Sequence, residues 1–279
     1  MKKIKFISLI IIAFSVIAML PPEKGWRNLF NGQNLKGWDT YIAPPIDDEG
    51  KLLSSKPVGL NNDPQKVFSV IRVDGENVIR ISGQQWGAII TKNKYSNFHL
   101  QLKFKWGNLL WGQKRGKKMD SGILYFSTGA NGADAGAWMR SQEFQVEQGN
   151  CGDYWGVAGA AEDIPANKIN DSNYVFNPNG KMINFSASSS NGRHCLKRGD
   201  NEYPAGTWNT LDLYCMGDTS IHVVNGKVMM VLYHSAKVIN GHTVPLTRGK
   251  IQIQSEGAEI YYKDIRIEPI IVIPKTLMK

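Results

Sequence analysis

Residues 98–106 read Phe-His-Leu-Gln-Leu-Lys-Phe-Lys-Trp, and this stretch decides the fold class. Side chains of an extended strand alternate between two faces, so Phe98, Leu100, Leu102, Phe104 and Trp106 share one face. His99, Gln101, Lys103 and Lys105 share the other. Strict alternation of this kind marks a half-buried antiparallel strand. Similar β-rich runs recur at 67–73, 77–82, 87–91, 121–127, 143–148, 182–186, 207–216, 220–224, 227–233, 249–254 and 259–268. Asn225-Gly226 lies between two apolar runs and predicts a two-residue hairpin, because both residue types tolerate positive φ. No window of a dozen residues has helical periodicity, and no repeat of 20–50 residues is present. The pattern predicts an all-β protein, a jelly-roll sandwich of two antiparallel sheets. A single domain is expected over 24–270, followed by a short tail at 271–279. The intervening segments 40–66, 107–118, 128–141, 149–181 and 187–206 are long, and such connections commonly wall a binding face.

The strand at Glu143-Phe144-Gln145-Val146-Glu147 carries the chemistry. Phe144 and Val146 face a core, while Glu143, Gln145 and Glu147 share the opposite face. Two carboxylates on one rigid face are the minimum equipment for cleaving a glycosidic bond. Glu143 and Glu147 are therefore the candidate catalytic acids, with Gln145 between them as a hydrogen-bonding group that cannot ionise. The competing reading of such a strand is a solvated outer face. Asp120, Arg140, Lys103, Trp138, Trp86 and His222 are the further candidates for binding substrate. Trp155 and His194 stand beside them in the long segments. For Asp120 the alternative is turn capping, for the tryptophans burial in the core, and for His222 an ordinary polar strand position.

The 279 residues are 42% hydrophobic and 20% charged, an ordinary globular balance. The 28 glycines suit a turn-rich β protein. Lys2, Lys3 and Lys5 precede an apolar run, Ile7 to Leu20, that Pro21-Pro22 ends. This reads as a signal peptide over 1–20, with an uncleaved anchor as the alternative, and predicts a periplasmic or secreted protein. No transmembrane segment is expected in the mature chain. Without that segment the net charge falls from +9 to +6, and Lys114-Arg115-Gly116-Lys117-Lys118 is the one dense basic cluster. A single basic loop is a solvated turn more often than a nucleic-acid groove, so no nucleic-acid partner is expected. Cys215 alternates with Leu211 and Leu213 and is expected in the core as an inert thiol. Cys151 and Cys195, in glycine-rich segments, are candidates for one disulfide. A divalent metal such as calcium remains open, although no acidic loop has calcium-binding spacing.

A series of motifs carries a family resemblance. Gly25-Trp26-Arg27-Asn28-Leu29-Phe30-Asn31-Gly32 is followed by Leu35-Lys36-Gly37-Trp38, Tyr95-Ser96-Asn97-Phe98 and Asp120-Ser121-Gly122-Ile123. Then come Glu143-Phe144-Gln145-Val146, Gly206-Thr207-Trp208-Asn209 and His222-Val223-Val224-Asn225-Gly226, with 249–267 closing the series. In this order they resemble the 3-keto-disaccharide hydrolase domain family over roughly 24–270. The resemblance implies a concanavalin-like jelly roll with substrate on the concave face of one sheet. It also implies activity on glycosides, particularly sugars oxidised to a ketone at carbon 3. Members commonly place an aspartate one or two positions beyond Glu147, whereas here Asp153 comes later, after Gly149-Asn150-Cys151-Gly152. Two mechanisms follow as expectations. In one, Glu143 is a nucleophile and Glu147 a general acid. In the other, Glu143 or Glu147 removes the proton at carbon 2, and His222, Arg140, Lys103 or a metal stabilises the enolate. The rival reading is a non-catalytic, lectin-like carbohydrate-binding module.

Overall fold

A computed structural model describes residues 25–278. The expected signal peptide at 1–20 lies outside the described residues. Two antiparallel sheets, one of twelve strands and one of eight, form a jelly-roll sandwich. Among the described residues, two short 3₁₀ turns accompany them, at Gly112–Lys114 and Lys275–Met278. The 98–106 alternation extends into a strand at Phe98–Leu110 at the centre of the larger sheet, paired with Asn209–Met216 and Ala258–Pro269. Its five apolar side chains are buried in the main core with Phe144, Val146, Ile251 and Ile253 from the facing sheet. Asn225 and Gly226 both have positive φ, 48° and 80°, as the predicted hairpin turn requires.

The smaller sheet runs in the order His194–Cys195, Tyr154–Val157, Arg140–Glu147, Asp120–Thr128, Lys250–Ser255, Gly87–Thr91, Trp38–Ile42 and Gly59–Leu60. Its inner face fills the core, and its outer face carries Glu143, Gln145 and Glu147. Antiparallel register aligns side chains across that outer face in rows. Glu143 lies opposite Trp155 on one side and Leu124 on the other. Gln145 lies opposite Gly122, and Glu147 opposite Asp120.

Several expectations change. The 149–181 segment is not only a wall: it holds the strands Tyr154–Val157, Ala160–Lys168 and Tyr174–Phe176. Ala160–Lys168 (Ala-Ala-Glu-Asp-Ile-Pro-Ala-Asn-Lys) lacks apolar alternation and is held instead by pairing with Lys181–Ser186 and Lys227–Ile239. His222 is a core residue. Its strand is covered on both sides, with Ile221 and Val223 in a second cluster, so His222 turns inward and stacks on Phe144 at 4.2 Å. Cys151 and Cys195 are free thiols because they belong to different clusters, Cys151 to the main core and Cys195 to the second. Cys215 is buried in the main core, as expected. Among the described residues, no helix is long and apolar enough to cross a membrane.

Candidate active site

A cavity of about 290 Å³ opens on the outer face of the smaller sheet, and Asp120, Glu143, Gln145 and Glu147 form its floor. The strand alternation that buries Phe144 and Val146 forces these groups outward together. Gly122 lies opposite Gln145 in register, and its lack of a side chain leaves the room that the Glu143 and Gln254 side chains occupy. A Cβ there would collide with Glu143 Oε1 and Gln254 Oε1. Trp138 and Trp155 line the sides, with Trp138 stacked on Trp86 at 5.5 Å and 23°. The indole N–H of Trp138 donates to the Gly87 carbonyl at 3.1 Å, so its ring presents an apolar surface.

One end of the cavity is a platform built from the His194–Cys195 and Tyr154–Val157 strands. The His194 ring stacks on Trp155 at 4.1 Å and 14°, and its Nε2 meets Asp153 Oδ2 at 3.0 Å. Asp153 is fixed in turn by the Lys197 backbone N–H, 2.9 Å from Oδ1. Arg193 lies over the Trp155 ring, 5.5 Å from its centroid, and pairs with Asp134. The other end is ionic. Lys114 donates to Asp120 Oδ2, and Gln145 Nε2 donates to Asp120 Oδ1 at 3.2 Å. Asn150 donates to Glu147, and Glu256 completes the wall.

This placement sorts the sequence candidates. Asp120, Trp138, Glu143, Gln145 and Glu147 converge on the cavity, and Trp86 backs it. Lys103 does not reach it: it lies on the larger sheet and pairs with Asp264 at 2.9 Å. Arg140 is spent on the Ala158 carbonyl at 2.6 Å, at the edge of its strand. His222 lies between the sheets, with Nδ1 3.2 Å from the Gly152 carbonyl. Lys114 corrects the solvated-turn reading of its cluster, since it alone turns inward while 115–118 stay exposed. Glu256 and Asp134 lie in loops, without a periodicity to betray the face they serve, whereas Gln254 alternates with the core residues Ile251 and Ile253 in a run that predicts a strand but does not mark it as part of the site. Trp155 and His194, candidates from the long segments, also line the cavity, and Arg193, the neighbour of His194, joins them.

The family model of the 3-keto-alpha-glucoside-1,2-lyase-like domain matches residues 25–268. The chain belongs to this family. The match covers the stretch over which the motif series from Gly25 to Ile267 carries the resemblance. No curated protein sequence matches the chain at a significant level. Among solved structures, a candidate glycosyl hydrolase from Parabacteroides distasonis ATCC 8503 aligns at 17% identity and TM-score 0.47, over 88% of this chain and 94% of that one. The carbohydrate-binding module CBM66 from Bacillus subtilis aligns at 9% identity and TM-score 0.38, over 72% and 91%. Domain 4 of AbnA, an extracellular arabinanase from Geobacillus stearothermophilus, aligns at 11% and 0.38, over 86% of each. At these scores the likenesses decide neither fold nor activity.

In this 3-keto-alpha-glucoside-1,2-lyase-like domain the electrostatics separate the acids. Burial, reinforced by the Asp120 charge and only partly offset by Arg193, pushes Glu143 up to about 8. Glu143 therefore carries its proton at neutral pH. Asp120 is raised to about 6 by burial, with Lys114 opposing the rise and Glu147 adding to it. Burial, with Asp120 and Glu143 nearby, holds Glu256 well above the ordinary carboxylate range. Burial pulls Lys114 down, but Asp120, Glu256 and Glu147 outweigh it and hold the ammonium above its usual value. Among the described residues, the carbonyl oxygens Gln145 Oε1 and Gln254 Oε1 are buried without a hydrogen-bond partner. Among the described residues, no group of three or more His, Cys, Asp and Glu side chains is placed to hold a metal ion.

Proposed function

We propose that the cavity cleaves 3-keto-glucosides by elimination across carbons 1 and 2. The observation that carries this reading is Glu143, a carboxyl held protonated at neutral pH in a sugar-sized hollow and flanked by aromatic rings. A group that keeps its proton suits a general acid better than a nucleophile or base. Family membership supports the choice of substrate class.

The ketone makes the carbon-2 proton acidic. His194, oriented by Asp153, takes that proton, and the electron pair forms the carbon-1–carbon-2 double bond. The bond from carbon 1 to the glycosidic oxygen breaks, and the departing oxygen takes the Glu143 proton. The products are a conjugated enone and a free alcohol, and addition of water to the enone completes a net hydrolysis. Charge developing on oxygen 3 is met by Arg193 over the Trp155 platform. Glu147 is the second candidate for the base, because its carboxylate shares the cavity floor. Gln145 and Gln254 line the same cavity.

A glycoside panel tests the proposal, with 3-keto-glucosides beside the matching unoxidised glucosides. The keto substrates are expected to be cleaved, with Glu143→Gln slowed by about 10²–10⁴. Equal turnover by wild type and Glu143→Gln defeats the assignment. Binding without turnover by wild type assigns the cavity to carbohydrate recognition instead.

A further inference from the structure

A second hollow, of about 190 Å³, lies beside the first and differs from it in character. Ala43, Pro44, Ile46, Leu52, Trp86 and Ala135 line it, and no charged residue does. The two hollows share walls at three places. Trp138 faces the catalytic cavity, and its stacking partner Trp86 faces the apolar hollow. Asp134 lines one and Ala135 the other; Lys114 lines one and Gln113 the other.

The hollow is built rather than incidental. Gln85 is buried and clamps the Ile46 backbone in both directions, accepting from its N–H at 2.9 Å and donating to its carbonyl at 2.8 Å. Gly50 (φ 85°) and Gly112 (φ 50°) meet face to face, where a Cβ on Gly112 would lie 3.1 Å from the Gly50 Cα. That contact, with the Gly112 N–H donating to the Asp48 carbonyl at 3.2 Å, seats the 47–53 loop against the turn that carries Lys114. The apolar wall and the ionic end of the cavity are thus one assembly.

Building on the elimination reading, we infer that the second hollow receives the leaving group, and that the preferred substrates are 3-keto-glucosides of an aromatic or otherwise apolar alcohol. The polar residues are concentrated where a sugar ring would lie, over Trp155 and Glu143. None of the residues lining the second hollow is charged, and Gln113 and the Trp86 indole are its only polar side chains for recognising a second sugar. A flat apolar aglycone buries its surface there, against Trp86 and Leu52.

The test compares phenyl and methyl 3-keto-glucosides. Calorimetry with Glu143→Gln reads affinity without turnover, and wild-type kinetics are measured in parallel. The phenyl compound is expected to bind about ten-fold tighter or more, since burying even part of an aromatic ring is worth that factor. Adding Leu52→Ser, at a position 56% exposed and therefore safe for folding, is expected to cut this preference at least three-fold. Leu53→Ser, one residue along and outside the hollow, is the control. Equal affinity for the two compounds overturns the inference, as does a Leu53→Ser effect equal to that of Leu52→Ser. If wild type cleaves neither compound while the Leu52-dependent preference holds, the elimination reading falls and the apolar subsite stands. If neither compound binds, both fall.

Discussion

Replacing Glu143 with Gln removes a buried proton-binding group while keeping its shape, and the consequence for stability follows from the structure. The carboxyl titrates near 8 in the fold, against 4.5 for an ordinary glutamate. Between those values the folded protein holds a proton that the unfolded chain has released. Stability contributed at this position is therefore fully present below pH 4.5 and falls as pH rises to 8. Each factor of ten in proton affinity is worth about 1.4 kcal/mol, so the whole window corresponds to about 5 kcal/mol, an upper bound because a strained cavity relaxes. The variant lacks this dependence. Urea unfolding of wild type and Glu143→Gln at pH 5, 7 and 9 measures it. The difference between the two proteins is expected to shift by several kcal/mol toward the variant, most steeply between pH 5 and 8. Parallel pH profiles of the two proteins would refute the buried, protonated carboxyl and the acid role built on it.

Lys114→Met leaves Asp120 as a buried charge without its cation. Without Lys114 the Asp120 carboxyl rises above about 6, so the loss is expected to grow toward about 3 kcal/mol as pH rises beyond 6 and to shrink at pH 5, where Asp120 is protonated in both proteins; thermal unfolding at pH 5 and pH 8 checks this. Gly122→Ala drives a methyl group into Glu143 and Gln254, so turnover should fall more than ten-fold for a stability cost of about 1–3 kcal/mol, read from kinetics and urea melts together. His222 is pushed down to about 3 by burial, so the fold binds fewer protons than the unfolded chain between pH 6.5 and 3. Stability from this group is lost as pH falls through that window. His222→Phe should cost about 1 kcal/mol at pH 7 through lost hydrogen bonds yet flatten the acid limb, measured by unfolding at pH 7 and 4.

What the sequence made legible follows from where periodicity operates. Phe98–Trp106 and Glu143–Glu147 have one face in the core and one out, so alternation assigned both faces correctly. The strand at Thr219–Val224 is buried on both sides, and alternation then identifies two faces without ranking them; that is why His222 looked like a surface ligand. Lys103 stands on a correctly read outward face, but of the wrong sheet, and nothing in a strand's own pattern says which sheet it joins. The platform of Trp155 and His194 arises from pairing between residues 39 positions apart in a region without apolar alternation. Lys114 shows the same limit. Its neighbours are solvated as their composition suggests, and only the turn at Gly112–Lys114 directs it to Asp120.

The central claim is that the carbon-2 proton leaves before the sugar does. Running the reaction on a 3-keto-glucoside in D₂O, with NMR of the released sugar, tests it most directly. Deuterium at carbon 2 of the product, together with a several-fold slower reaction of substrate deuterated at that carbon, is the predicted result. A product that keeps its original hydrogen at carbon 2, formed at the same rate from either substrate, would contradict the account.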